Sequence, residues 1–353
     1  MGAEYHRATW TGEEKQQKAI THRPFVTREY NTLCPENLQK AVSYKSKSTG
    51  KFVCAKWIET SSCNLLYKPS HNVAPTDVTP VLVSGSHFDS NLERVLHPMM
   101  WGMIPPWHKG EPKSHGLSTN NCRLEGMIGS KLYGRAFSKG NRCVIVCDGF
   151  YEWQTTKGKG NKQPYFIYMP QPEGVRVEDP NTWSEEWSEE EGWKGPKLLA
   201  MAGLFDIWKS PQGEVIYSYT LITTESNETL SWLHHRAPAI LYTEEQIDSW
   251  LDYSSVKSEK ALHSITPVKS LVWHPVATLV NNSRNKDTNC NKPVSLDHAG
   301  CMCGGVAVRQ DDDITCDLAV HPCRRVDRGS LGSFHEFPYR TCFLVTGDYL
   351  ILM

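Results

Sequence analysis

Three short stretches of the chain hold groups able to move protons or bind anions: STNNCRLEG (118–126), CDGFYEW (147–153) and LHHRAPAIL (233–241). In the second, Glu152 stands among Phe150, Tyr151 and Trp153, just after the apolar run RCVIV. A carboxylate in that company is solvated at a cleft rim, paired with a cation, or kept for chemistry. Asn120 and Asn121 also suit an ordinary turn. His234 and His235 end a helix-like segment, where a histidine commonly meets free carbonyls and the helix dipole. Adjacent histidines face different ways on a helix, so they make a poor joint metal site.

The elements that must position these groups can be read from pattern and punctuation. CPENLQKAV reads as a helix start, with Pro35 suited to the first turn. NVAPTDVTPVLVSG reads as an extended segment, with Pro75 and Pro80 keeping it out of a sheet centre. RCVIVCDGFYEW is a strand running into a turn, and QPYFIYM is a second strand. The acidic, proline-bearing PQPEGVRVEDPNTWSEEWSEEEGW reads as a surface insertion. PKLLAMAGLFDIW, a KSPQGEV turn and VIYSYTLITT form a hairpin. Helices are expected over SNETLSWLHH from Ser226, over TEEQIDSWL with a capping box from Thr243 to Gln246, and over VKSEKALHSI. Past about Val294 neither period persists. The order implies an α+β domain over about 32–295, with an atypical extension at 1–31 and an irregular tail at 296–353.

Composition narrows the classes. Lys plus Arg (38) nearly balances Asp plus Glu (39) among 353 residues, so any nucleic-acid footprint must be local. Twelve tryptophans supply groups for stacking as well as for cores. No stretch approaches the roughly 20 apolar residues that span a bilayer, and no membrane partner is expected. The first residues lack an apolar signal region, and His6 stands where a myristoylation signal wants Ser or Thr. The twelve cysteines then read as mostly reduced thiols of an intracellular protein. Cys301, Cys303, His321 and Cys323 are spaced too loosely for a zinc site, so no metal and no cofactor are expected.

Taken together the stretches mean more. TLCPENL, YKPSHNVAPTD, MMWGMIPPW, STNNCRLEG, RCVIVCDGFYEWQ, QPYFIYM, LLAMAGLFDIW, SYTLITTESN, LHHRAPAIL and VNNSRN occur in an order that resembles the SOS response-associated peptidase (SRAP) family. The resemblance implies a single domain of mostly antiparallel strands in a barrel-like sheet, with flanking helices and a DNA-binding cleft. It implies a sensor of abasic sites in single-stranded DNA that attaches covalently to the open-chain sugar aldehyde. The family nucleophile is an N-terminal cysteine, whose α-amine (pKa about 8) forms a Schiff base before the thiol (about 8.5) closes a thiazolidine.

Carried onto this chain, the resemblance has Asn121 orient the N-terminal group and Glu152 assist proton transfer. His234 contacts the opened deoxyribose as acid or base. Arg123 and Arg236 hold the flanking phosphates. Trp101, Pro105, Trp107 and Trp153 line the cleft, and Asn72 supports it. Arg284 either caps a turn or touches phosphate. The resemblance further implies a monomer, a nuclear location and contacts with replication-fork proteins.

The family start, Met-Cys-Gly-Arg, has no match. Counting back from TLCPENL puts Val26 at the cysteine's place and Arg28 at the arginine's, so no nucleophile is expected at position 26. Loss of Met1 would expose Gly2, an amine without a thiol. Internal cysteines lack the amine. Ala237 stands where the family has Met, which costs packing rather than chemistry. Two other function classes remain: a non-catalytic binder of single-stranded or modified DNA, and a general protein hydrolase. The latter is disfavoured because no serine or internal cysteine has a recognisable base partner.

Overall fold

The computed structural model describes residues 27–59, 65–88, 90–156, 162–296, 343–346 and 349–352. Twelve strands and three helices of residues 27–296 carry the architecture. The strands are β1 (Arg28–Asn31), β2 (Ser70–Val73), β3 (Val78–Ser84), β4 (Arg94–Trp101), β5 (Asn121–Arg123), β6 (Arg142–Cys147), β7 (Gly149–Trp153), β8 (Pro164–Tyr168), β9 (Leu199–Lys209), β10 (Val215–Glu225), β11 (Arg236–Pro238) and β12 (Val272–Pro275). The helices are α1 (Pro35–Ala41), α2 (Tyr133–Ser138) and α3 (Glu244–Leu251). The α+β class expected from the sequence is the class observed.

Five strands close into a barrel. β10, β9, β6, β3 and β4 pair antiparallel in that order, and β4 returns to β10 in parallel, with Met100 opposite Ser218 and Trp101 opposite Tyr219. Closure removes the open edges that a flat sheet would expose. A second sheet runs in the order β12-β8-β7-β1-β2. The two are joined at Asp148, which alone separates β6 from β7. A Cβ at Gly149 would lie 2.4 Å from the Phe166 ring and 2.7 Å from the Ile167 carbonyl, so only glycine fits this crossing. The Asp148 carboxylate accepts from the Thr32 N–H (2.8 Å) and hydroxyl (2.7 Å), which anchors the crossing to the end of β1.

Strand alternation divides the core in two. Val81, Val95, Trp101, Ile145, Met201, Tyr219 and Leu221 of the barrel cluster with Val73, Phe150, Tyr165 and Ile167 of the second sheet. The opposite set, including Leu82, Leu96, Val144, Leu204 and Ile222, packs against Leu38 of α1, Phe137 of α2, and Ile247 and Trp250 of α3. The α3 capping box is present as expected, with Thr243 Oγ1 accepting from Gln246 N–H at 3.3 Å.

Several expectations change. β3 is paired on both sides, despite its proline. Pro80 lies opposite Pro98 of β4, and β6 contacts β3 only at Val81 and Leu82, so no ladder donor is lost at Pro80. Residues 226–235 make turns rather than a helix, because β11 is drawn onto β10 at once. β1 pairs with both β7 and β2, so residues 27–31 belong to the domain and not to an extension. Residues 343–346 and 349–352 pair as antiparallel strands. The loosely spaced residues 301–323 lie outside the described residues. Among the described residues no helix is long and apolar enough to cross a membrane.

Glu29 of β1 is fully buried, and burial raises its pKa from 4.5 to about 8, with the Tyr219 hydroxyl donating to Oε1 at 3.4 Å. A raised carboxyl favours the folded state below its unfolded pKa, and that contribution is lost as pH rises through the folded value. The half-buried His87 and the buried His97 are both pushed down to about 4 by desolvation, so neither titrates between pH 7 and 8.5 in the folded state. Stability should therefore fall between pH 7 and 8.5. Glu29→Gln should remove about 1 kcal/mol of that fall, measured by denaturant midpoints at the two pH values.

Candidate active site

β7 carries Glu152 and Trp153 to opposite sides of its sheet. Phe150 and Glu152 share the face that meets the barrel core, with Glu152 opposite Tyr165 of β8. Trp153 shares the other face with Tyr151, among Tyr30, Phe166 and Val280. Glu152 is 4% exposed, so the solvated reading of this carboxylate does not hold. Its Oε1 accepts from the Trp153 N–H at 3.0 Å, while Oε2 has no hydrogen-bond partner among the described residues. Burial drives its pKa well above the ordinary carboxyl value; the Trp153 N–H and the charge of Lys162 oppose this without reversing it. Burial thus favours the protonated form of Glu152 over the carboxylate.

The end of β7 is stitched to the turn that presents His234. Thr155 N–H donates to the Leu233 carbonyl (2.9 Å), Gln154 Nε2 donates to the Trp232 carbonyl (3.2 Å), and the Thr156 hydroxyl donates to the same carbonyl. The turn is a single helical winding, His234 N–H to Leu230 carbonyl at 3.0 Å. His234 is 5% exposed, and its Nδ1 accepts from the Arg236 N–H at 3.0 Å. Burial, then the neighbouring His235, lowers its pKa to about 4. The ring is therefore neutral at pH 7, and with Nδ1 accepting, its proton resides on Nε2. Such a group donates a hydrogen bond rather than taking a proton.

β10 gathers the remaining groups. β5 lies parallel to it, with Asn121 beside Leu221 and Arg123 beside Thr223, and β11 lies antiparallel, with Arg236 opposite Glu225. Leu221 N–H and the Trp101 indole N–H both donate to the Asn120 carbonyl, at 3.0 and 2.9 Å. The Tyr133 hydroxyl donates to the Asn121 carbonyl at 3.3 Å. These bonds fix the backbone from which the half-buried Asn121 projects. The set Asn121, Arg123, Arg236, His234 and Glu152 thus forms one connected chain of strand pairs and hydrogen bonds.

Other residues take different places. Trp101 is fully buried and stacks parallel to Tyr219 (centroids 6.4 Å apart), so it offers no face to a base; Pro105 is buried as well. Both are corrected from cleft lining to core. Trp107 is 55% exposed. Arg236 is also occupied: its two η nitrogens bind the Glu125 carboxylate at 3.0 Å each, and Nη2 donates to the Thr223 carbonyl at 2.6 Å. Arg236 is 5% exposed, whereas Arg123 is exposed and its charge acts on Glu125. Arg123 is the cation of the pair with room for an outside anion.

On the reverse face of β7, Asn72 Nδ2 donates to the Val280, Asn282 and Asn285 carbonyls at 3.2, 3.0 and 3.0 Å. Asn72 is buried and ties down the VNNSRN loop. Arg28 donates to the Val280 and Asn281 carbonyls and lies over the Trp153 ring at 5.3 Å, and the Trp153 indole donates to Asn281 Oδ1 at 2.6 Å. Arg28 is legible in the sequence as the residue at the family arginine's place, and Glu125 and Lys162 not at all; their roles depend on which strands meet. Val26 lies outside the described residues.

The family model for SOS response associated peptidase (SRAP) matches residues 26–283, beginning where the count back from TLCPENL put the family start. A Xenopus tropicalis protein named abasic site processing protein HMCES is 42% identical over 270 residues, covering 75% of this chain and 77% of that protein. Its Gallus gallus namesake is 40% identical over 270 residues, covering 75% and 76%. The Bacillus subtilis abasic site processing protein YoqW is 30% identical over 222 residues, covering 62% and 84%. A crystal structure of a Bordetella bronchiseptica protein covers 71% of this chain and 99% of its own, at 19% identity and a TM-score of 0.49.

The two arginines should separate in a stability measurement. Arg236→Gln strips a buried carbonyl and a carboxylate of their donor and should cost about 3 kcal/mol. Arg123→Gln, on the surface, should stay within about 0.5 kcal/mol of wild type. Equal effects in urea unfolding would contradict this division.

Proposed function

The chain belongs to the SOS response associated peptidase (SRAP) family, and from that premise we propose that it recognises abasic sites in single-stranded DNA. The observation that carries the reading is the junction of β7 with the His234 turn: the strand that bears a buried carboxyl, whose Oε2 has no hydrogen-bond partner among the described residues, is bonded at its end to the turn that presents a buried, neutral imidazole. An abasic sugar is an aldehyde in equilibrium with its ring form. The chemistry it needs is donation to the ring oxygen on opening and a proton for the hydroxyl that leaves when an amine adds. His234 Nε2–H suits the first task and Glu152 the second. Arg123 supplies the local positive charge for a flanking phosphate, and Trp107 an exposed ring for a neighbouring base. The names of the relatives, abasic site processing proteins, agree with this substrate.

Val26 at the family's cysteine position favours a second reading, a protein that binds such DNA without the thiazolidine step. Ring closure consumes an amine and a thiol of one residue, and valine has no thiol. Both readings include a monomer in the nucleus that meets replication-fork proteins.

Binding should be electrostatic and local. Affinity for single-stranded DNA should fall as salt rises from about 50 to about 200 mM, and Arg123→Glu should weaken it at least roughly tenfold while leaving the melting temperature near wild type. Fluorescence anisotropy against salt checks both, and indifference to both removes the DNA reading.

The covalent step should be repairable. Deleting residues 2–25 and writing Val26→Cys with Thr27→Gly restores Met-Cys-Gly-Arg ahead of Glu29. That chain should give a heat- and detergent-stable adduct with abasic single-stranded DNA on a denaturing gel. Without a reductant, the unaltered chain should give none, and equal adduct from both would discard the assignment of the nucleophile's place.

A further inference from the structure

We propose that Lys162 is the amine through which this chain forms an imine with an abasic sugar; the inference rests on the abasic-DNA reading above. Lys162 is exposed and stands two residues before β8. The Gln154 N–H donates to the Gln163 carbonyl at 2.9 Å, so the start of β8 and the end of β7 lie side by side just beyond Glu152. Those same residues, Gln154 to Thr156, bond the Trp232 and Leu233 carbonyls that lead into His234. Lys162 therefore adjoins the start of β8, which is bonded to the end of β7, and that end is bonded in turn to the residues leading into His234. Its charge is felt by both: it appears among the influences on Glu152 and on His234. It makes no ion pair among the described residues, and Oε2 of Glu152 has no hydrogen-bond partner among them.

The step balances with groups of this chain and its substrate. The Lys162 ammonium first gives a proton to solvent; the free ε-amine then adds to C1′ of the open aldehyde, the C–N bond forming as the C=O π pair moves onto oxygen, and one N–H proton passes to that oxygen to make it a hydroxyl. His234 Nε2–H steadies that oxygen. Glu152, whose acid form burial favours, gives its proton to the hydroxyl, which leaves as water, and the nitrogen lone pair forms the C=N bond. Loss of the remaining N–H proton to solvent gives the neutral imine, with no oxidant or reductant required. Unlike a thiazolidine, this linkage needs no thiol and reverses by adding water.

The full chain would be incubated with abasic single-stranded DNA, treated with sodium borohydride to reduce the imine, and resolved on a denaturing gel, with bound DNA measured by anisotropy in parallel. The expected result is a borohydride-dependent adduct whose peptide, by mass spectrometry, carries the sugar on Lys162. Lys162→Arg, which keeps the charge but lacks the nucleophile, should lower adduct per bound DNA at least roughly tenfold. Full yield in Lys162→Arg, or the sugar on Gly2 or another lysine, overturns the proposal. Abasic DNA bound without any trapped adduct also overturns it while the binding reading stands. Failure to bind single-stranded DNA at all removes both.

Discussion

β10 must serve more neighbours than a strand has edges, and the candidate site depends on how it does so. Its eleven residues pair first with β9, then with the ends of β4 and β5, and finally with β11. Each partner is engaged over only part of the strand, because a backbone offers two edges and each ladder bond is used once. Barrel closure by β4 ends at Tyr219, which leaves residues 221–225 to receive β5 and β11. Asn121, Arg123 and Arg236 are thereby collected along a few successive residues of a strand that contains none of them. A shift of one residue in either short pairing would turn these side chains to the opposite face.

The second sheet meets this arrangement through desolvation. Glu152 and His234 are both buried, and burial pushes the acid up and the imidazole down, so the fold favours the neutral form of each. Two neutral groups can share a dry site at little electrostatic cost, whereas a carboxylate and an imidazolium there would need partners. Oε2 of Glu152 remains a buried acceptor without a hydrogen-bond partner among the described residues. Charge remains at the periphery, on Arg123 and Lys162, where water screens it until an anion arrives. Arg236 is the exception, and the fold answers it with the Glu125 carboxylate.

The reverse face of β7 is a scaffold. Arg28, Trp153, Asn72 and Asn281 interlock through hydrogen bonds and a cation–ring contact, closing the 280–285 loop over β1 and β7. Since Trp153 and Glu152 are adjacent on one strand, rigidity on one side fixes the direction of the other.

Much of this is legible in the sequence. Periodicity locates the β9–β10 hairpin, β6 and β8; the Thr243–Gln246 box locates α3; and the ordered stretches from TLCPENL to VNNSRN identify the family without any coordinate. These are local signals, written in neighbouring residues. The sequence did not determine which of its polar groups would be free. Trp101 and Trp107 look alike in MMWGMIPPW, yet one is sealed against Tyr219 and the other is exposed. Arg123 and Arg236 look alike as phosphate ligands, yet one is paired with Glu125 across 111 residues. Helical spacing over 226–235 gave way to turns once β11 found β10. Burial, pairing and protonation are decided by partners distant along the chain, and only the folded backbone brings them together.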